Sequence, residues 1–448
     1  MSLNFGHDVL IVGPGPIGAM LGVPLVRAGY NVTFAGRASS PHTHYIQEHG
    51  LKIRYPSGDI FTISPQQKNV HFTDTVSKLN CKFSLIIAAV KSNNLLNVSP
   101  YIHEHSDCNS ILVHAQNGIP YWWFNDHTYL SQLGKNVLNQ IRDRQYLEAV
   151  DPAGQIFDLL GDRHIIGCVI KAPSSKLDLG SIDIKKPPKV ILGLTNIQAY
   201  NEADFASLSE FCAQLTRDGL CAQHSTNIRA EICKKLSVNL STNTLAALTS
   251  KITASLTGSP LFKKLIVYML EEANKVFRAF NIYEQDLPTQ QELFTYITDP
   301  GSQKHLPSLA QDFCKRQIGE LNLIAAPVEM AKIAGIKTPI LESVLELLRA
   351  GQDYVLKGHQ IDTHLIQVNP QSAMLTLNPN VFRSPILKTF RIANLLAHID
   401  TLNFVRDAST VPQILRRSGQ TVSTRSRLLL PKTSKAKLAK QPLSAPRR

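Results

Sequence analysis

The sequence predicts an α/β domain followed by an all-α domain, with a basic extension at the C-terminal end. Three observations predict it. An apolar run near the start, Val9-Leu10-Ile11-Val12, breaks at Gly13-Pro14-Gly15-Pro16-Ile17-Gly18 and passes at once into a helical pattern of Met20, Leu21, Val23, Leu25 and Val26. Short apolar runs of the kind buried in parallel sheets then recur to about Leu194. From about Asn201 the hydrophobic period becomes helical.

The glycine run has the spacing of a dinucleotide-binding turn. In that motif the first glycine permits the tight turn, the second admits a pyrophosphate to the backbone, and the third lets helix pack on strand. An ordinary strand-to-helix turn is the alternative, but the flanking strand and helix and a second strand at Gly29 to Ala35 favour the dinucleotide reading. Gly13, Gly15, Pro16, Ile17 and Gly18 are therefore candidate cofactor-binding residues. The second strand ends at Gly36-Arg37, with no acid before Glu48. A carboxylate there would accept from a ribose hydroxyl, whereas a guanidinium grips a 2′-phosphate with two hydrogen bonds. Arg37 thus points to NADPH; its other reading is a solvated surface residue.

After these elements a short helix is expected at Tyr45 to Leu51, and a hairpin at Leu51 to Ile63 around Pro56-Ser57-Gly58-Asp59. Buried strands follow at Phe83 to Val90, ending in Lys91-Ser92, and at Ile111 to Ala115, ending in Gln116-Asn117-Gly118. Polar residues at such strand ends face the ligand crevice, which makes Lys91 and Asn117 candidates. Tyr121-Trp122-Trp123-Phe124 reads as core or interface ahead of a stacking platform. Strand-like pieces at His164 to Ile170, Ser181 to Ile184 and Val190 to Leu194 close a first domain at residues 1–197. Helices at Ala203 to Arg217, Thr226 to Ser250, Pro260 to Phe280, Gln290 to Ile297, Leu306 to Arg316, Leu321 to Ala334 and Pro339 to Ala350 make a second domain of residues 198–355, so the substrate cleft should lie between the two.

The longest helix carries Lys235, Asn239 and Asn243 at i, i+4 and i+8, which share one face. Asparagine is a poor choice for an exposed helix interior. The stripe either presents donors to a ligand's carbonyl and hydroxyls or forms a solvated face or a helix–helix hydrogen bond. Ser308 and Glu320 read on their own as a helix N-cap and a surface acid.

Composition is that of a globular protein, with 43% hydrophobic and 18% charged residues. No apolar run approaches the ~20 residues needed to span a bilayer, and the early first strand argues against a signal peptide. Seven cysteines without CxxC spacing suggest reduced, mostly buried thiols in a cytoplasmic protein, with neither a disulfide framework nor a zinc site. The net charge of +13 is concentrated late: from Lys357 onward there are 15 Lys and Arg against 3 acids, leaving +1 for residues 1–356. Within the extension, residues 356–448, a helix is expected at Ile386 to Phe404. Ser409 to Arg448, rich in Ser, Thr, Pro, Lys and Arg, reads as disordered, either solvated or drawn to nucleic acid or an anionic membrane.

Taken together, the motifs resemble those of the ketopantoate reductases (2-dehydropantoate 2-reductases). The glycine turn, Arg37, Lys91, Gln116-Asn117-Gly118, Lys235-Leu236-Ser237-Val238-Asn239 through Asn243, and Ser308 through Asp312 with Glu320 occur in that family's order over residues 8–352. The resemblance implies a Rossmann-type domain with a helical domain like the C-terminal one of 6-phosphogluconate dehydrogenase. It also implies NADPH-dependent reduction of a 2-oxo acid, 2-dehydropantoate to pantoate, on the way to pantothenate and coenzyme A, in a protein that pairs as a homodimer. Its residue roles would be Lys235 as general acid, Glu320 on the substrate hydroxyl or orienting Lys235, Ser308 on the carboxylate, Asn239 and Asn243 on the hydroxyl, and Asn117 and Lys91 on the cofactor side. Against the family pattern, His305 stands where members often carry Asn, Cys233 where Trp is frequent, and Leu309 for Met. The competing reading is a nucleotide-sensing regulatory protein acting through the basic extension.

Overall fold

The structure is a computed structural model that describes residues 3–75, 79–141, 144–161, 163–303 and 306–357, with two short paired strands at Ile366–Val368 and Leu375–Leu377. His305, the helix expected at Ile386 to Phe404 and the basic stretch from Ser409 lie outside the described residues. The chain divides into two units, residues 1–391 and 392–448, and everything below concerns the first.

Besides that short pair, twelve strands form two sheets among the described residues of that unit. They are β1 (Asp8–Val12), β2 (Asn31–Ala35), β3 (Leu51–Arg54), β4 (Ile60–Ile63), β5 (Val70–Thr73), β6 (Leu85–Ala88), β7 (Ile111–His114), β8 (His164–Lys171), β9 (Ser174–Asp178), β10 (Ser181–Ile184), β11 (Lys189–Leu194) and β12 (Cys221–His224). The large sheet runs β12-β11-β8-β7-β6-β1-β2-β5 and is parallel except where β11 meets β8. From β5 to β8 this is the nucleotide-binding strand order, with β1 at its centre and the crevice outside the strands' carboxyl ends. The small sheet, β4-β3-β10-β9, contains the expected hairpin, with Leu51 opposite Ile63.

The sheet extends past residue 197. Helix Glu202–Arg217 packs Leu208, Phe211, Cys212 and Leu215 into the same core as β1, and β12 pairs in parallel with β11. A strand, a crossover helix and a parallel strand form one unit, so these residues add to the sheet although their period is helical. Helix Ile228–Thr249 packs against β8 and β11, and the helices that follow pack on it and on one another.

Tyr121 to Phe124 are buried to 1% exposure or less and belong to the core. They seat a buried cation: Arg229 donates from Nε and Nη2 to the Trp123 carbonyl at 3.2 and 3.1 Å and from Nη1 to the Thr195 carbonyl at 2.8 Å. Its guanidinium lies over the Tyr129 ring at 4.2 Å, with Asp126 at 3.7 Å. This clamp fixes the first turn of helix Ile228–Thr249 against the sheet domain. The cysteines depart from expectation, since only Cys168, Cys212 and Cys233 are buried; Cys81, Cys108, Cys221 and Cys314 are exposed. The exposed four sit in loops or at the ends of elements, where the chain meets water. Among the described residues, no helix is long and apolar enough to cross a membrane.

Candidate active site

The glycine turn has the geometry its spacing requires. Gly13 has φ of +99°, a conformation that side chains resist. A Cβ on Gly18 would stand 2.1 Å from the Gly13 carbonyl oxygen, so helix Pro16–Arg27 closes on β1 only because Gly18 lacks one. At Gly15 the same construction meets nothing within 4 Å, so the backbone is open to an approaching group there. Gly15 caps the helix without a side-chain hydrogen bond, Pro16 and Ile17 form its start, and the first turn holds no acid. Unmet N–H groups and the positive end of the helix therefore face the opening. An anionic pyrophosphate fits this donor set. Arg37 is exposed two residues beyond β2.

One support of the turn escaped the sequence reading. His42 Nδ1 accepts from the Gly180 N–H at 3.1 Å, which leaves Nε2 to carry the proton and donate to the Pro14 carbonyl at 2.9 Å. Burial lowers the pKa of this histidine and keeps the neutral tautomer. It ties the turn to the small sheet.

Across the groove, helix Ile228–Thr249 is set by its N-cap Asn227, whose side chain accepts from the Ala230 N–H at 3.1 Å. Two turns on, Lys235 Nζ donates to Asn117 Oδ1 at 2.6 Å, joining the helix to the end of β7. Burial pushes this ammonium down to about 8, opposed by attraction to Cys168 and Glu320 and assisted by Lys171. Gln116, Asn117, Cys168, Ile232 and Asn239 line a pocket around it. Asn243, one turn further, is buried, and its Oδ1 accepts from Thr242 Oγ1 at 3.4 Å; it is absent from the pocket wall.

The end of β6 completes the groove. Lys91 Nζ is 2.5 Å from Asp312 Oδ1, an ion pair with the carboxylate largely shielded from water. The N–H and hydroxyl of Ser92 both donate to Glu320 Oε1 at 2.9 Å, and the hydroxyl also reaches Asn322 Oδ1 at 3.0 Å. Glu320 is thus buried and held by Ser92, and it reaches Lys235 through its charge without a hydrogen bond between them. Ser308 is exposed at the first residue of helix Ser308–Cys314; the cap position belongs to Pro307, which displaces the N-cap reading of this serine. Asp312 and Ser92 are site residues that sequence reasoning left without a role. Among the described residues, no group of His, Cys, Asp and Glu is arranged to hold a metal ion.

Fold and site together define a two-domain protein with a dinucleotide-type turn in its sheet domain and a buried lysine where its helices meet the end of β7. The chain belongs to the ketopantoate reductase family, an oxidoreductase family of the 2-dehydropantoate 2-reductase type. Residues 9–121 match the family described as "Ketopantoate reductase PanE/ApbA", and residues 227–352 match its C-terminal part. A 2-dehydropantoate 2-reductase from Mesorhizobium japonicum is 26% identical over 347 residues, covering 76% of this chain and 96% of that protein. A solved structure from Ralstonia solanacearum, assigned as a ketopantoate reductase, is 25% identical with a TM-score of 0.66, covering 78% of this chain and 98% of its own. D-mandelate dehydrogenase with NADH and anilino(oxo)acetate shares the fold at 20% identity and a TM-score of 0.59, covering 78% and 99%. The second family match begins at residue 227, the N-cap of helix Ile228–Thr249.

Proposed function

We propose that the protein reduces a 2-oxo acid with NADPH, and that the reaction is 2-dehydropantoate to pantoate. The observation that carries this reading is the Lys235 ammonium, lowered to about 8 by burial and held by Asn117 in a pocket at the end of β7. The names of the curated relatives support the substrate, and Arg37 supports the 2′-phosphate.

When bound, the reduced nicotinamide supplies a hydride to the ketone carbon. Negative charge then develops on the ketone oxygen, and Lys235 Nζ lies on the groove wall to donate a hydrogen bond and then a proton to it. Asn117 holds that ammonium in one direction, so little reorganisation is needed as the charge forms. Glu320, fixed by Ser92, attracts the ammonium and so opposes the loss of its proton. In this reading Asn239 and Asn243 take the substrate hydroxyl, Ser308 its carboxylate, and Lys91 the cofactor side, its pairing with Asp312 leaving further N–H bonds to give. The unpaired cysteines accord with a cytoplasmic setting.

The test is a screen of 2-oxo acids at fixed NADPH, followed by the loss of absorbance of the reduced nicotinamide. Turnover should be fastest with 2-dehydropantoate. No turnover with any branched 2-oxo acid would contradict the proposal.

A further inference from the structure

The mechanism above leaves one polar side chain of the Lys235 pocket without a task. Gln116 follows β7 by two residues, and both atoms of its amide, Oε1 and Nε2, are cut off from solvent with no hydrogen-bond partner among the described residues. An unmet buried polar group carries a desolvation cost that an apolar side chain of the same length would avoid. Its neighbours are under-used as well. Lys235 gives one of its three N–H bonds to Asn117, and Asn239 makes no hydrogen bond among the described residues. Unused hydrogen-bonding capacity from a strand end and a helix face thus converges on one pocket.

We propose that Gln116 is a ligand-binding residue of this site, and that it takes a group able both to donate and to accept a hydrogen bond. A carboxylate or a ketone oxygen would satisfy Nε2 alone, because neither has a proton to give to Oε1. A primary carboxamide satisfies both atoms at once, and an alcohol offers the same two roles. Under the reductase reading, on which this inference rests, the group comes from one of two sources: the carboxamide of the nicotinamide or the hydroxyl of a hydroxylated 2-oxo acid.

Gln116→Met keeps the length and removes both atoms, and Gln116→Glu keeps the shape and removes the donor. Without ligand, Gln116→Met should melt at or above the parent temperature, since no bond within the protein is lost; a fall of more than about 5 °C would overturn the proposal. Dissociation constants for NADPH, for 2′-phospho-ADP-ribose, for 2-dehydropantoate and for 3,3-dimethyl-2-oxobutanoate, which lacks the hydroxyl, then separate the sources. A loss of about tenfold for NADPH with 2′-phospho-ADP-ribose unchanged identifies the carboxamide. A loss of about tenfold for 2-dehydropantoate with the unhydroxylated acid unchanged identifies the hydroxyl. Changes under about twofold for both NADPH and 2-dehydropantoate in both variants would remove Gln116 from the site. A failed reductase reading is seen separately, as a parent protein that turns over none of the oxo acids, because the binding measurements need no turnover.

Discussion

The Arg37 guanidinium is exposed just past β2, and no acid follows it in the sequence before Glu48. Such a position gives an expected outcome: Arg37→Ala should weaken NADPH about tenfold and leave NADH within about twofold, because one charge-assisted contact of about 1.5 kcal/mol is lost to the first and none to the second. Dissociation constants measured by nicotinamide fluorescence check this, and equal losses for the two cofactors would contradict the 2′-phosphate assignment. Arg37, Lys91, Asn117 and Lys235 were legible as candidates because strand ends and helix faces have regular places in sequence. Their partners were not. Lys91 meets Asp312 at a separation of 221 residues, and Ser92 meets Glu320 at 228. Nothing in local pattern carries such pairings, and Asp312 alone reads as an ordinary helix acid. His42 was hidden for the same reason: its role depends on Pro14 and Gly180, which only the folded chain brings to its two ring nitrogens.

At the scale of elements, the glycine turn separates two kinds of requirement. Gly18 is needed by the fold, since an added Cβ would overlap the Gly13 carbonyl, whereas Gly15 faces open space. Gly18→Ala should therefore cost about 3 kcal/mol of stability, while Gly15→Ala should stay within about 1 kcal/mol of the parent and still lose affinity for NADPH. Denaturant unfolding and dinucleotide titration of the two variants read the two effects; comparable stability losses in both would contradict the division. The elements read well where their hydrophobic pattern was long. Helix Ile228–Thr249 falls within two residues of its expected limits, and β1, β2 and β8 follow their apolar runs. Strands β5, β9 and β12 escaped because each is four or five residues long and half or more of β9 and β12 is exposed, leaving no run to detect. Missing β12 left the strand that pairs with β11 unassigned.

Over the whole molecule, the sheet domain and the helical domain share one hydrophobic cluster, and polar pairs join them as well. Lys235 with Asn117, Lys91 with Asp312, and Ser92 with Glu320 are among these pairs, and Arg229 anchors the Lys235 helix to the sheet side. These pairs fix the lysine relative to the ends of β6 and β7. The groove is also where burial changes chemistry, because an ammonium lowered to about 8 is still largely protonated at neutral pH yet releases its proton more readily than an ordinary lysine. Reduction needs the protonated form, so the rate should be level below that value and fall as pH rises through it.

The most direct test is therefore the pH dependence of kcat/KM for NADPH-dependent reduction of 2-dehydropantoate, from about pH 6 to about pH 10, in the parent and in Lys235→Met. The account predicts a parent profile that bends near pH 8 and then falls tenfold per unit. The variant should be slower by about 10²–10⁴-fold and lack the bend. A bend that persists unchanged in Lys235→Met, or a parent rate that stays level to pH 10, would contradict the assignment of the proton to this lysine.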